Sequence, residues 1–318
     1  MADLRAAVIG AGRLGSLHAH KYRALEGVEL KYVADVDQRR ADEVAAETGA
    51  EPCSDYRDLR GKIDLATVAS PGVTHHLIAA DLMRWGIDVL LEKPMAATLD
   101  EAHELGIIAA GGGRILQIGH LERFNPAIER LGAILDSPRF IECHRLASFT
   151  ERGTDVDVVL DLMVHDLDVI LSLVQSEAVS VEAVGVAVLT DQIDIANARI
   201  RFANGLIANL NSSRVSAKRE RKIRFFQPDA YLSVDYEARS IQVYRKSPPP
   251  AGGTFPVISA ELIGLAEGDP LMDEVRAFVN SVRARSAPRV SADDGLRVME
   301  LSERIRIAIA KENAALNL

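Results

Sequence analysis

The chain has 318 residues and a formal net charge of −9, with hydrophobic residues at 48% and charged residues at 26%. This balance is typical of a globular protein with about two domains, and it argues against broad attraction to nucleic acid or an anionic membrane. The two cysteines, Cys53 and Cys143, are too few for a disulfide framework and lack metal-ligand spacing. We therefore expect free thiols in a reducing cytoplasm, no metal, no signal peptide and no membrane span.

Residues 1–120 alternate short apolar runs with helical patterns. The predicted strands are 4–10, 28–36, 63–70, 87–94 and 114–120. The helices predicted between them are 14–25, 38–49, 74–86 and 99–113. Such regular alternation predicts a parallel sheet with helices on both faces.

The pattern changes after residue 120. A helix (125–137), a strand (139–149) and an unusually apolar helix (156–174) are followed by consecutive strands. These strands are predicted at 179–189, 193–203, 205–215, 222–228, 230–236 and 239–246, and helices at 270–285 and 293–315 close the chain. Asn204-Gly205 between two of the strands predicts a hairpin. Residues 121–318 are thus predicted to form an α+β domain with a large, mostly antiparallel, open-faced sheet for substrate binding and oligomerisation.

A glycine-rich turn separates the first strand from the first helix. Residues 10–15 read G-A-G-R-L-G, and Asp35 ends the second strand 20 residues beyond Gly15. This context turns a weak motif into a dinucleotide fingerprint, in which Gly12 lets the backbone approach a pyrophosphate at the helix N-terminus. Residues 1–120 are therefore predicted to be an NAD-binding Rossmann domain, a doubly wound α/β fold. The cofactor contacts predicted in the turn are Gly10, Gly12, Arg13, Leu14 and Gly15.

The end of the second strand bears on the choice of cofactor. Asp35 would accept hydrogen bonds from the adenosine ribose and repel a 2′-phosphate, which favours NAD over NADP. Arg39 and Arg40 follow closely and offer charges that would attract such a phosphate.

Several polar residues follow the carboxyl ends of the predicted parallel strands. Ser70-Pro71, Glu92-Lys93-Pro94 and Gly119-His120 end three of them, so we expect them along one crevice. Lys93 is out of place at the end of a buried apolar run. It is either a surface lysine paired with Glu92 or a cation that binds a substrate hydroxyl and helps to withdraw its proton.

The apolar helix carries a polar stripe. Asp161, His165 and Asp168 fall on one narrow face at 3.6 residues per turn, and Ser172 extends that face. Burying a carboxylate without a partner is costly. The stripe therefore faces solvent, is satisfied internally or lines a site, and the helix alone leaves these possibilities open.

Four stretches together resemble the Gfo/Idh/MocA family of sugar oxidoreductases: GAGRLGSLHAH, ASPGVTHH, EKPMA and DLMVHDLD. The resemblance covers nearly the whole chain and implies a nicotinamide cofactor and a cis Lys93-Pro94 bond. It implies Lys93 as the catalytic lysine and Asp161 with His165 as the acid/base pair, whereas Asp168 is either a supporting or a structural residue. Further cofactor contacts are implied at Ser70, Pro71, His75, Glu92 and Lys93. Substrate contacts are implied at Lys93, Arg123, Asp161 and His165.

Two further stretches, IGHLERFNPAI and SFTERGTDVDVVLDLMVHDLDVI, resemble family members that act on UDP-N-acetylglucosamine. The implied reaction oxidises the 3-hydroxyl to a 3-keto sugar, for a lipid A that carries a 2,3-diamino sugar. Candidate cations for the diphosphate are Arg152, Arg214 and Lys218. Asn125 reads as a helix cap before Pro126.

Other functions remain compatible with the same residues. The chain could act on inositol, a free sugar or a different nucleotide sugar, because only pocket contacts would differ. A glycosidase that uses NAD transiently and a non-catalytic nucleotide sensor are further alternatives, although a sensor should lack Lys93 or His165. We also expect a homodimer or homotetramer, since the second sheet exposes one broad face. The apolar residues predicted to serve that face are Ile195, Ala198, Ile200, Phe202, Leu206, Ile207 and Leu210.

Overall fold

A computed structural model describes residues 3–150, 156–251, 253–265 and 267–316. The chain divides into two compact units, each built around one sheet. The first comprises Met1–Phe124 and Asp269–Met299, and the second comprises Asn125–Gly268 and Glu300–Leu318.

The first unit contains a six-stranded parallel sheet in the order β3-β2-β1-β4-β5-β6. Its strands are β1 (Leu4–Ile9), β2 (Val28–Ala34), β3 (Glu51–Cys53), β4 (Leu65–Val68), β5 (Asp88–Glu92) and β6 (Leu116–Gly119). The helices between them are α1 (Arg13–Arg23), α2 (Gln38–Thr48), α3 (His75–Arg84) and α4 (Leu99–Gly112). The order and the two apolar cores, one on each face, confirm the doubly wound prediction.

Local chemistry sets where several of these elements begin and end. The Asp37 side chain accepts the Arg39 N–H at the start of α2, and Gly49 ends that helix with φ 76°. Thr98 and Glu101 form a capping box at the start of α4. The sequence prediction missed β3, which has three residues, lies at the sheet edge and contains Pro52, so it shows no alternation.

The second unit contains an eight-stranded sheet in the order β14-β13-β12-β11-β7-β10-β9-β8, parallel between β10 and β7 and otherwise antiparallel. Its strands are β7 (Phe140–Leu146), β8 (Ala178–Val186), β9 (Ile195–Phe202), β10 (Ile207–Ser213), β11 (Glu220–Phe226), β12 (Ala230–Asp235), β13 (Ser240–Ser247) and β14 (Val257–Gly264). Helices α5 (Pro126–Ile134) and α6 (Val164–Leu173) precede β8. The mostly antiparallel sheet and the β9–β10 hairpin at Asn204-Gly205 are as predicted.

The open face of this sheet differs in composition from the prediction. Of the seven apolar residues assigned to it, five are buried on the opposite face, because every second position along this part of the sheet faces inward: Ala198, Ile200, Phe202, Leu206 and Leu210. Only Ile195 and Ile207 belong to the open face. That face carries instead an aromatic row of Phe140, Phe226, Tyr231 and Tyr244, with successive ring centroids 5.5, 5.0 and 5.6 Å apart.

The prediction also missed β14. Nearly all of its residues are exposed on both faces, so the strand has no inward-facing apolar set to produce a period of two.

The C-terminal helices are not confined to one side of the predicted domain boundary at residue 120. Helix α7 (Pro270–Ala284) places Val275, Phe278 and Val279 in the core of the first unit. The start of α8 (Ala292–Leu316) packs Leu296 on the other core of that unit, whereas its end belongs to the second unit. A pattern of helical periodicity identifies an apolar face but not the sheet that it covers. In the part of the chain that the structure describes, no helix is long and apolar enough to cross a bilayer.

Candidate active site

The glycine-rich turn lies where β1 meets α1. A Cβ on Gly15 would lie 1.7 Å from the Gly10 carbonyl oxygen, and a Cβ on Gly10 would lie 2.6 Å from the Ser70 nitrogen. Gly10 also has φ 95°, a conformation that favours glycine. Gly12 differs, because a Cβ there would meet nothing within 4 Å. Close packing thus explains Gly10 and Gly15, and the free space at Gly12 is where a ligand could approach the start of α1.

Asp35 joins this turn to the end of β2. One carboxylate oxygen accepts the Ala11 N–H at 2.7 Å, and the other accepts the Asp37 N–H at 2.8 Å. Each oxygen keeps a second lone pair for a ribose hydroxyl. The carboxylate therefore holds the glycine turn and remains half-buried at the edge of a cavity.

This cavity, of about 520 Å³, lies at the carboxyl ends of the parallel strands. Four predicted cofactor contacts line it: Gly10, Asp35, Ser70 and Pro71. The other predicted contacts are outside its lining: Gly12, Arg13, Leu14, Gly15, His75, Glu92 and Lys93. An acidic group, an apolar wall with Leu77 and Ile78, and the adjoining start of α1 together fit the adenosine and pyrophosphate of a dinucleotide.

His75 is buried, and both of its ring nitrogens contact backbone carbonyl oxygens. One ring nitrogen lies 2.7 Å from the Pro94 carbonyl oxygen and the other 2.8 Å from that of Ser70. The Lys93-Pro94 bond is cis, as the family resemblance implied. Any effect of His75 on a cofactor would therefore pass through the two loops that it joins.

Glu92 is buried next to Lys93 rather than exposed on the surface. Its carboxylate lies 2.8 Å from the His18 ring nitrogen and accepts the backbone N–H of Lys93 at 3.3 Å. Glu92 is 7% exposed and His18 is fully buried, whereas Lys93 is half-buried. Buried Glu274 of α7 offers a carboxylate within 4.8 Å of both. Sequence reasoning did not connect His18 with Glu92, which lies 74 residues away.

His120, which the sequence prediction places along the same crevice without a role, is buried. Burial, followed by the positive charges of Arg123 and Lys93, lowers its pKa to about 3. The imidazole is therefore neutral near pH 7. Arg123, predicted to bind substrate, lies 3.7 Å from Asp294 and donates a hydrogen bond to the Arg289 carbonyl oxygen.

In the second unit, the polar stripe begins in a π-helical turn, Val159–Met163, which continues into α6. Single π-helical turns within α-helices occur often at functional sites. Asp161 and His165 are half-buried, whereas Asp168 is 1% exposed. Only the first two therefore keep the accessibility that acid/base chemistry requires.

Two ion pairs hold this helix, the first fully buried and the second partly exposed at its arginine. Arg145 of β7 binds both oxygens of Asp166, at 3.0 and 2.9 Å, and its guanidinium lies 5.6 Å from the Tyr236 ring centroid. Asp157 accepts the N–H groups of the first helical turn and pairs with Arg306 at 2.7 Å. Sequence reasoning found neither anchor, although Asp166 adjoins His165.

The predicted diphosphate cations have different surroundings. Arg214 is 4% exposed, lies 3.6 Å from Asp194 and donates to the Val156 carbonyl, so its charge is already used within the fold. Lys218 is exposed. Arg152 lies outside the described residues.

The depressed pKa of His120 has a consequence for stability. The unfolded chain takes up a proton at this residue below its ordinary pKa of 6.5, but the folded chain does so only near pH 3. The free energy of unfolding should therefore fall as pH decreases, by about 2 kcal/mol between pH 6.5 and 5 from this group. Denaturant titrations at several pH values should show this decrease in the free energy of unfolding for the unaltered protein but not for His120→Gln. Equal slopes would contradict the prediction.

The chain matches two family models. Residues 4–120 match the oxidoreductase family with an NAD-binding Rossmann fold, and residues 131–232 match the GFO/IDH/MocA C-terminal domain. It is 37% identical over 310 residues to a UDP-N-acetylglucosamine 3-dehydrogenase of Acidithiobacillus ferrooxidans, covering 97% of this chain and 98% of the relative. An inositol 2-dehydrogenase of Saccharopolyspora erythraea is 32% identical over 56% of each chain.

Solved structures agree with this relationship. The structure of the Acidithiobacillus ferrooxidans enzyme superposes with a TM-score of 0.89 at 36% identity, covering 97% of this chain and 98% of that one. A scyllo-inositol dehydrogenase of Lactobacillus casei with bound NAD(H) and scyllo-inositol shares the fold, with a TM-score of 0.81 at 18% identity and 98% coverage of both chains. The chain belongs to the Gfo/Idh/MocA family of NAD-binding oxidoreductases.

Proposed function

We propose that this protein oxidises the 3-hydroxyl of UDP-N-acetylglucosamine to a ketone with a nicotinamide cofactor. The nearly full-length similarity to an enzyme of that name carries the proposal. Lys93, Asp161 and His165, at the positions that the family motifs assign to catalysis, support it. A nucleotide sensor would not need this set of residues.

The proposed chemistry uses the three residues that the family motifs assign to catalysis. A nicotinamide cofactor held beside Gly12 and Asp35 would supply the acceptor for the hydride that leaves the sugar carbon. Lys93 hydrogen-bonds the reacting hydroxyl and stabilises negative charge on its oxygen, while His165 accepts the hydroxyl proton. Asp161 orients the imidazole and stabilises its protonated form. The carbon–oxygen double bond forms as the proton and hydride leave.

We propose NAD rather than NADP as the cofactor. The Asp35 carboxylate at the cavity edge would accept ribose hydroxyls and repel a 2′-phosphate. Arg39 and Arg40 do not offset it, because they pair with Asp37, the N-cap of their helix, and with Glu43 within it, and they lie outside the cavity lining.

The alternative of an inositol or free-sugar dehydrogenase rests on the similarity to inositol 2-dehydrogenases over part of the chain. The same acid/base residues would serve, so only the substrate contacts would distinguish the two functions.

The proposed product also implies the next reaction. A cytoplasmic aminotransferase would consume the 3-keto sugar on the way to a lipid A with a 2,3-diamino sugar.

We propose that the protein is a homodimer or homotetramer through the open sheet face. The aromatic row is flanked by ion pairs between Glu142 and Arg224 and between Lys222 and Asp235. A face with apolar groups and both signs of charge can be self-complementary across a twofold axis.

The first of three predictions from the proposed function tests the reaction. With NAD⁺, UDP-N-acetylglucosamine and a coupled glutamate-dependent aminotransferase, NADH should form, and Lys93→Ala and His165→Ala should lower kcat by about 100-fold or more. His20→Ala, at an exposed histidine paired with Glu47, is the matched control and should keep full activity. Oxidation of inositols or free sugars but not the nucleotide sugar would overturn the substrate and leave the residue roles intact.

The second prediction separates the two kinds of glycine. Gly12→Ala should change the free energy of unfolding by less than about 1 kcal/mol, since the new methyl group meets no protein atom. It should weaken NAD⁺ binding by about tenfold, because the methyl group fills the space where a pyrophosphate would lie. Gly15→Ala should not fold normally, because its Cβ would overlap the Gly10 carbonyl. Unchanged NAD⁺ affinity in Gly12→Ala, measured by calorimetry, would contradict the assigned cofactor position.

The third prediction concerns assembly. Light scattering should show a dimer or tetramer for the unaltered protein, and Tyr231→Glu should dissociate it because the new charge breaks the aromatic row. Glu237→Gln, at an exposed position beyond β12, is the control and should leave the mass unchanged. A monomeric unaltered protein would refute the proposed interface.

A further inference from the structure

The cavity beside Asp35 contains an ion pair that neither the glycine motif nor the acidic residue accounts for. Asp55 and Arg57 follow β3, and both line the cavity together with Asp35. The Asp35 N–H donates to the Cys53 carbonyl at 3.0 Å, so the chain that carries this pair leaves the sheet next to Asp35. The pair is therefore part of the wall to which an adenosine ribose would be bound.

The charges of that wall do not simply add. Among the described residues that line the cavity, Asp35 and Asp55 are acidic and Arg57 alone is basic. Asp55 accepts the Arg57 backbone N–H at 3.0 Å, its Nε–H at 2.9 Å and its Nη2–H at 2.5 Å. This guanidinium lowers the pKa of Asp55 to about 2, so the carboxylate is charged throughout the ordinary pH range.

Asp55 contacts an edge of the Arg57 guanidinium that could otherwise bind an anionic ligand. Arginine binds carboxylate and phosphate in the same way, by two parallel N–H donors of its planar fork. Asp55 takes the Nε and Nη2 donors, which form one such fork. A phosphate that approached Arg57 by this edge would have to displace Asp55.

We propose that Asp55 determines cofactor selectivity by keeping Arg57 from binding the 2′-phosphate of NADP. The inference rests on the proposed placement of a nicotinamide dinucleotide in this cavity, and it adds a second determinant to Asp35. Asp35 repels the phosphate directly, while Asp55 withholds the cation that could have bound it.

The experiment measures binding of NAD⁺ and NADP⁺ by calorimetry, without substrate. Asp55→Asn keeps an oxygen that can accept the Arg57 backbone N–H but removes the charge. It should tighten NADP⁺ binding by about fivefold and change NAD⁺ binding by less than about twofold. The fragments 2′,5′-ADP and AMP should show the same contrast, which assigns the gain to the 2′-phosphate.

Two further variants test whether Arg57 is responsible. Arg57→Ala alone should leave NADP⁺ affinity near that of the unaltered protein, because its charge is already paired. Asp55→Asn/Arg57→Ala should lose the gain of the single Asp55→Asn variant. Asp55→Ser, which retains a capping oxygen, should repeat the gain if Asp55→Asn folds poorly.

The outcomes separate this inference from the proposed function. It is overturned if Asp55→Asn and Asp55→Ser bind NADP⁺ no better than the unaltered protein, or if the gain persists without Arg57. A protein that binds neither cofactor would overturn the cavity assignment as well. Failure to oxidise UDP-N-acetylglucosamine with normal cofactor binding would count against the substrate alone, and the selectivity result would stand.

Discussion

The close approach of α1 to the first β-strand is the constraint on which the first unit depends. Gly15 allows the helix to start directly against the Gly10 carbonyl, so its free N–H groups point into the space beside the strand ends. A series of contacts connects the loops that follow these strands and ends at a second residue of α1. This closed path runs through Gly10, Ser70, His75, Pro94, Lys93, Glu92 and His18. The backbone at the lysine is therefore connected to the same helix whose start adjoins the cavity beside Asp35.

The second unit accommodates polar groups on α6 and the turn before it, which are otherwise apolar. Buried ion pairs are costly to desolvate, and an apolar replacement of similar shape often gives a more stable fold. The Arg145–Asp166 pair is therefore poorly explained by stability alone. Its two hydrogen bonds fix the rotation of α6 about its axis, which a purely apolar contact would specify less well. Asp157 and Arg306 similarly fix where the helix begins.

The sequence was sufficient for features that depend on local spacing. The glycine turn, the parallel sheet indicated by alternating elements, the hairpin at Asn204-Gly205 and the Asn125 cap all follow from neighbouring residues. It was insufficient for pairs that are distant along the chain, such as His18 with Glu92 and Arg145 with Asp166. A buried aspartate next to a candidate histidine gives no sign of its partner's position. For the same reason, the open sheet face was predicted with the wrong residues: composition indicated apolar content, but only strand register decides which face receives it.

Exposure separates the residues that we propose to react from those that we propose to position them. Lys93, Asp161 and His165 are half-buried, while charged or polar groups adjoining them are almost fully buried: Glu92, His75 and Asp166. A group that must bind a ligand needs donors or acceptors that the fold has not used. The same reasoning applies to the cavity wall, where Arg57 is exposed but the Nε/Nη2 edge of its guanidinium is engaged by Asp55. Accessibility alone therefore does not define a binding residue. The availability of its hydrogen-bonding edge has to be established from the partners that the folded chain supplies.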